Sequence, residues 1–348
     1  MLQTRTTPIL MIKNSVNWLV LAGLAFFISG CSKAPEIVSL AGNTMGTTYH
    51  IKVVANDKLP DAQTLQAEID TALELVNDQM STYRPNSELS RFNQSALGQS
   101  VEVSADTIKV IQAGIDLNAV TNGALDITLG PLVNLWGFGP DKRPVDVPSQ
   151  AELDAAKAKM GIHSLVIDGN TMHKTNADLY VDLSSIAKGF GVDKVASLLD
   201  KYQPSGYLVE IGGELSIKGN KGDGEPWRVA VEQPSDDGRA IQQVIEPGLM
   251  AMATSGDYRN YYEEDGQRFS HLIDPRTGYP IHHRLASVTV LHKECMIADG
   301  YATAMMVLGT QASLELANKE HLAIMLIEKQ DDGFKVFYSD AFKPYLIE

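Results

Sequence analysis

Residues 164–193 read SLVIDGNTMHKTNADLYVDLSSIAKGFGVD. Asp168-Gly169-Asn170 is a turn between two short runs that alternate apolar and polar positions, which marks a hairpin or meander, and 179–183 reads as a third run. A tight turn with Ser184 and Ser185 follows, and Gly189 and Gly191 lead into a helix. Strands joined by hairpin turns, with helices that do not alternate strictly with them, predict an α+β fold. Its sheets are mixed, largely antiparallel, with flanking helices.

The same pattern extends outward in both directions. Residues 48–54 alternate as a strand, and further strands are expected at 207–211, 214–218, 227–232, 243–245, 250–254, 287–291, 323–328 and 334–338. Leu65, Ile69, Leu73, Val76 and Met80 fall on one face of a helix that Asp61 caps. Ser104 caps a second helix with Ile108, Ile111 and Ile115 inward, ended by Asn122-Gly123. Ser149 and Glu152 form a capping box opening a third, which Gly161 closes. Helices are also expected at 192–199, 297–308 and 311–318. Neither a fixed-period repeat nor a low-complexity linker divides the chain.

The first 30 residues carry Arg5 and Lys13, no acid, and an apolar run over 18–28, the pattern of a secretory signal. That run is shorter than the roughly 20 residues a spanning helix needs. Ile28-Ser29-Gly30-Cys31 places small residues before a cysteine, as a lipoprotein signal peptidase requires, so Cys31 is the expected lipidated N-terminus. The organisation expected is therefore a lipoprotein signal peptide over 1–30, a tether over 31–37 and a globular domain over 38–348. With Cys31 acylated, Cys295 has no disulfide partner among the 2 cysteines, and packing alone must stabilise the fold. The chain has 44% hydrophobic and 21% charged residues, which excludes disorder and a disulfide-built scaffold. Loss of the two signal cations moves the net charge from −14 to −16, which argues against nucleic acid and against electrostatic docking on anionic lipid. A phosphate-bearing ligand then needs local cations, helix N-termini or a metal.

Three stretches could carry chemistry. In 179–193 the helix N-terminus beyond Ser184-Ser185 offers backbone N–H groups to phosphate. The third glycine of a dinucleotide fingerprint is absent, and a plain strand-to-helix turn explains the glycines equally. In 298–304, Asp299 and Thr303 lie one helical turn apart, a pair of hard oxygen donors suited to Mg²⁺. The competing interpretation is that Asp299 caps its own helix and Thr303 bonds back to the carbonyl of residue 299. In 254–280, Ser255-Gly256-Asp257 precedes His271, Ile273 and Asp274, and Gly278 and Pro280 make the tail a turn. His271 suits a general base near neutral pH. His282-His283 is not a metal motif, because strand neighbours point to opposite faces. No G-x-S-x-G, H-E-x-x-H or C-x-x-C occurs, which removes common hydrolase, zinc protease and redox readings.

Taken together, Thr44-Met45-Gly46-Thr47, MSTYRPNSELSRFN (80–93), GALDITLGPLVNLWGFG (123–139), VDLSSIAKGFGVD (181–193), Gly212-Gly213, TSGDYRNYY (254–262) and SHLIDPRTG (270–278) resemble the ApbE family of FAD:protein FMN transferases. The resemblance implies the family's fold, FAD as substrate and Mg²⁺ as cofactor. It implies FAD contacts from Met45, Tyr83, Ala124, Leu125, Asp126, Asp182, Lys188 and Ile273. Mg²⁺ would be held by the Ser185 carbonyl and the side chains of Asp299 and Thr303. FMN would pass to a threonine hydroxyl of a partner protein with release of AMP, His271 or Asp182 taking the hydroxyl proton. The family's usual acceptors are subunits of Na⁺-translocating NADH:quinone reductase or RNF-type complexes, which places the expected lipid-anchored enzyme on the periplasmic face of the inner membrane. Two alternatives use the same pocket: a Mg²⁺-dependent FAD pyrophosphatase giving FMN and AMP, and a non-catalytic periplasmic flavin-binding lipoprotein.

Overall fold

Hairpin turns dictate strand neighbours that run antiparallel, and every pair in the main sheet does so. The computed structural model describes residues 36–139, 147–234, 240–257, 261–264 and 267–347. The expected signal peptide, Cys31 and the tether up to residue 35 lie outside them. In chain order the strands are β1 (Ile37–Thr44), β2 (Thr47–Val54), β3 (Val101–Glu102), β4 (Leu165–Asp168), β5 (Thr171–Lys174), β6 (Gly206–Ile211), β7 (Glu214–Gly219), β8 (Val229–Glu232), β9 (Ile241–Ile245), β10 (Ala251–Gly256), β11 (Tyr261–Glu264), β12 (Gln267–Ser270), β13 (Leu285–His292), β14 (Ala323–Gln330) and β15 (Gly333–Tyr338). The helices are α1 (Ala62–Met80), α2 (Glu88–Gln94), α3 (Ala105–Val120), α4 (Gly130–Leu135), α5 (Gln150–Lys157), α6 (Ala187–Asp200), α7 (Cys295–Leu308) and α8 (Thr310–Lys319).

The main sheet has eight strands in the order β1-β2-β6-β7-β10-β13-β14-β15. Its alternation sends side chains to two covered faces. Tyr49, Ile51 and Val53 of β2 and Tyr207, Val209 and Ile211 of β6 pack with Leu65, Ile69 and Leu73 of α1 and Val192, Val195 and Leu199 of α6. On the opposite face Leu215, Ile217, Met252, Met325 and Ile327 meet Trp227, Val229 and Ile245 near β8–β9, together with Phe342. A strand buried on both sides loses its polar alternation, as β13 does: seven of its eight residues are buried.

Two tight turns close the same end of this sheet. Met45 (φ 49°) and Gly46 (φ 74°) form the two-residue β1–β2 connection, with both central residues left-handed as a type I′ turn demands. Gly212 and Gly213 do the same between β6 and β7, and the Gly212 N–H donates to the Thr48 carbonyl at 3.0 Å, tying the turns together.

Most of the sequence expectations hold, with informative exceptions. Asp61, Ser104 and the Ser149–Glu152 capping box begin α1, α3 and α5 as predicted. The buried face of α3 is Thr107, Val110, Ile111, Ala113, Gly114 and Leu117, so of the three predicted isoleucines only Ile111 is fully inward. α5 ends at Lys157, and Gly161 (φ 127°) starts a short 3-10 turn instead of closing the helix. β4 and β5 form the hairpin around residues 168–170, but 179–183 is not its third strand: β3 takes that place. The Val181 backbone is satisfied by a side chain, with Asn93 donating to its carbonyl at 2.9 Å and accepting its N–H at 2.8 Å. Lys174, 2% exposed, donates to the Asn93 carbonyl at 2.9 Å and braces the same point.

Candidate active site

A cleft of about 870 Å³ opens at the sheet end where the two tight turns meet, in the size range of cofactor pockets. Met45, Tyr83, Asp182 and Lys188 all line it, four of the residues singled out in the sequence. Tyr83 is 71% exposed, presenting its ring to the cleft and solvent. Its neighbour Arg84 is held by Glu74 at 2.8 Å and Asp78 at 2.6 Å. Asp182 accepts the Ser184 N–H at 2.8 Å, while its own N–H donates to the Ile127 carbonyl at 2.8 Å. The turn carrying Ser184 and Ser185 is thereby fixed before α6 begins.

Behind the cleft lies the seam between α6 and α7, where the half-buried Asp193 and the buried Asp299 cap each other's helices. Asp193 of α6 accepts the Cys295 and Met296 N–H groups at 2.8 and 2.9 Å, at the start of α7. Asp299 of α7 accepts the Gly189 N–H at 3.0 Å, in the first turn of α6. A carboxylate at each helix N-terminus meets the positive end of the helix dipole. The capping interpretation of Asp299 is thus right in kind and wrong in target, since the helix it caps is the neighbouring one.

The glycines have an equally specific role. A Cβ at Gly189 would sit 2.5 Å from the Cys295 carbonyl oxygen, and one at Gly191 would sit 2.7 Å from the Met45 methyl. Gly189 lets the two helix backbones touch, and Gly191 makes room for the turn that edges the cleft. This packing role was named by neither explanation for the glycines, and the Gly189 N–H is taken by Asp299.

Lys188 projects from this seam to the cleft. Its Nζ lies 2.8 Å from Glu214 Oε1 and 3.5 Å from Asp299 Oδ1. Burial opposes its charge, but Asp299 and Glu214 together hold its pKa above the usual lysine value. Burial raises the Asp299 carboxyl, against the opposing pull of Lys188 and the Gly189 N–H. Burial likewise raises Glu214, with Lys188 pulling it down and Asp299 adding to the rise. One turn beyond Asp299, Thr303 Oγ1 lies 3.3 Å from Ser255 Oγ at the end of β10, rather than bonding back along its own helix. Glu214 and Ser255 were not among the sequence-derived site residues. The Gly212-Gly213 turn and the TSGD run over 254–257 were the signals that could have found them.

The other predicted residues sit elsewhere. Ala124 and Leu125 are 2% exposed, and the Leu125 N–H and carbonyl are both engaged, by Thr121 and Asn118. Asp126 turns back on Thr128, accepting its N–H at 2.7 Å and its hydroxyl at 2.6 Å, and burial raises its pKa against those two bonds. Ile273 is 1% exposed and packs with Leu132, Trp136, Leu153 and Phe269 in a peripheral cluster. Trp136 Nε1 donates to the Gly278 carbonyl at 2.8 Å, locking the turn that the sequence placed at 278–280. His271 meets Phe138 edge-on at 6.3 Å in this same layer and is not among the residues lining the cleft.

The donor set fits a magnesium ion. Asp299 Oδ1, whose contact with Lys188 is long, lies on the same helix face as Thr303, with Ser255 beside it, and Glu214 Oε2 is buried without a hydrogen-bond partner among the described residues. All are hard oxygens, the ligand type Mg²⁺ prefers. No group of three or more His, Cys, Asp or Glu side chains placed to hold a metal occurs among the described residues, so any such ion depends on hydroxyl, backbone and ligand oxygens as well.

An antiparallel α+β scaffold with a cofactor-sized cleft, into which a half-buried lysine projects from two buried carboxylates, defines a class of ligand-binding site. Comparison with known proteins narrows that class. The profile of the ApbE family matches residues 45–326, and the chain belongs to this family. A Vibrio cholerae protein described as FAD:protein FMN transferase is 54% identical over 330 residues, spanning 95% of this chain and 99% of its own. A Haemophilus influenzae protein of the same description is 47% identical over 338 residues, spanning 95% and 98%. The solved flavin transferase ApbE from Vibrio cholerae superposes with a TM-score of 0.84, covering 90% of this chain and all of that one. The ApbE protein from Thermotoga maritima reaches 0.80 at 27% identity, covering 90% of this chain and all of its own.

Proposed function

We propose that this chain transfers FMN from FAD to a threonine hydroxyl of a partner protein and releases AMP, with Mg²⁺ as cofactor. The observation that carries the reading is a cleft lined by Met45, Tyr83, Asp182 and Lys188, with Asp299 and Glu214 buried behind the lysine and paired to it. In a chain of net charge −14, with Lys188 shared between two carboxylates, a diphosphate at this wall calls for a divalent ion beside the lysine. Met45 and Tyr83 offer apolar and aromatic surface for a flavin ring, and Lys188 a point charge for phosphate.

The reaction forms a bond between the threonine oxygen and the FMN phosphorus and breaks the diphosphate bond to AMP. Asp299, Thr303 and the Ser185 carbonyl are the residues that would hold Mg²⁺. When bound, the ion supplies charge neutralisation for the diphosphate and stabilises the departing phosphate. Lys188 adds positive charge on the cleft side. The hydroxyl proton passes to His271 or Asp182. Asp182 lines the cleft, and His271 would act from the neighbouring layer once substrate bridges the two.

The Cys31 lipid anchor would hold the enzyme at the periplasmic face of the inner membrane, beside acceptor subunits of Na⁺-translocating NADH:quinone reductase or RNF-type complexes. Tethering raises the effective concentration of membrane-bound targets. The test is to incubate the enzyme with FAD and an acceptor subunit, in Mg²⁺ and in chelator, and to separate the nucleotides by chromatography. AMP without free FMN, in Mg²⁺ only, is the expected result. Equal AMP and free FMN would mean that water is the acceptor, and no AMP at all would make the protein a flavin-binding lipoprotein.

A further inference from the structure

Glu214 is placed by the Gly212-Gly213 turn at the first position of β7, on the helix-covered face of the sheet, and is 3% exposed. Its Oε1 accepts from Lys188 at 2.8 Å. Its Oε2 is buried and has no hydrogen-bond partner among the described residues. A buried carboxylate oxygen left unpaired is costly, and Lys188 is the cation beside it that offsets the cost. Lys188 lies between two carboxylates and is nearer to Glu214 by 0.7 Å, at 2.8 against 3.5 Å from Asp299.

We infer that Glu214 is a positioning residue: it draws the Lys188 ammonium off Asp299 and so keeps Asp299 Oδ1 open to a divalent cation. The inference rests on the magnesium-dependent reading given above. The electrostatics are simple. With both carboxylates ionised, as a bound cation would hold them, Lys188 leaves one net negative charge in the seam for that cation. Without the Glu214 charge, Lys188 and Asp299 form a closed neutral pair, and the cation must displace an ammonium to reach its ligand.

The experiment is a double-mutant cycle on the full chain, read by Mn²⁺ binding. The free-ion electron paramagnetic resonance signal is titrated in the presence of FAD for wild type, Glu214→Gln, Lys188→Met and the double variant. If Glu214 acts through Lys188, E214Q weakens Mn²⁺ binding about tenfold in the wild-type background. With Lys188 replaced by methionine, the same change weakens it less than about twofold, a non-additivity that simple loss of a nearby charge does not give. E214D retracts the carboxylate by one methylene without removing its charge, and carries the same cycle if thermal melts show that the amide variant is not folded. Unchanged Mn²⁺ affinity in E214Q, or an equal loss in both backgrounds, overturns the inference while leaving the magnesium reading intact. Absence of Mn²⁺ binding by the wild type overturns both.

Discussion

The α6–α7 seam and the peripheral layer around Trp136 both hold candidate catalytic groups, but they hold them differently. In the seam, Asp193, Asp299 and Gly189 are fixed by bonds between two helices that pack on the main sheet, and Lys188 by Glu214 of β7. In the peripheral layer, His271 follows a two-stranded ribbon and meets Phe138 edge-on, beside a turn pinned by Trp136. A site built on core elements is set by folding itself. A site on a loop over the small Trp136 cluster rests on less packing than the main core provides. The arrangement suits a reaction in which one half of the machinery must be ready for a diphosphate and the other must admit a whole protein acceptor.

The largest expected effect separates the two regions directly. Asp299→Ala should lower AMP release on the order of 10³-fold and abolish Mn²⁺ binding, whereas His271→Ala should lower transfer roughly 10²-fold and leave Mn²⁺ binding unchanged. Parallel Mn²⁺ titrations and AMP assays check both. Loss of metal binding in the histidine variant would break the division drawn here.

Next in size is Gly189→Ala, whose added methyl meets the Cys295 carbonyl at 2.5 Å, backbone that cannot rotate away. A stability loss of roughly 1–3 kcal/mol in urea unfolding is expected.

The pH dependence of Asp193 gives a comparable test of the seam. Burial raises this carboxyl to about 6 from the ordinary 3.8, against the two N–H groups it accepts. An acid whose folded pKa is raised favours the fold most when protonated, so its contribution is fully present at low pH and declines as pH rises from about 4 to about 6. Relative to Asp193→Asn, which does not titrate, the wild type should lose on the order of 2 kcal/mol across that window in unfolding experiments. A difference that stays flat, or that grows toward neutral pH, contradicts the assignment.

Trp136→Phe should show the smallest effect. It removes the bond to the Gly278 carbonyl and should cost about 1 kcal/mol in stability, with Mn²⁺ affinity unchanged because the seam is elsewhere.

The sequence reading succeeded wherever one local rule decides the outcome. The periodicity of Leu65, Ile69 and Leu73, the caps at Asp61 and Ser104, and the hairpin at 168–170 are of this kind. It failed at 179–183, where alternation suggests a strand but a side chain 88 residues away, Asn93, occupies the backbone of Val181. β1 was missed because its polar alternation ends in a Met-Gly turn that resembles no common hairpin signal. Within the site, the Asp299–Thr303 spacing was legible because a helix fixes which residues share a face. Glu214 and Ser255 were not, because they reach the seam from β7 and β10, and strand order in the sheet is a property of the folded chain.

The most direct test of the account is the intact mass of a purified acceptor subunit after incubation with this enzyme, FAD and Mg²⁺. The account predicts one FMN residue added at a threonine by the wild type, and none with Asp299→Ala or in chelator. An acceptor of unchanged mass, while FAD is cleaved to free FMN and AMP or is left whole, would contradict it.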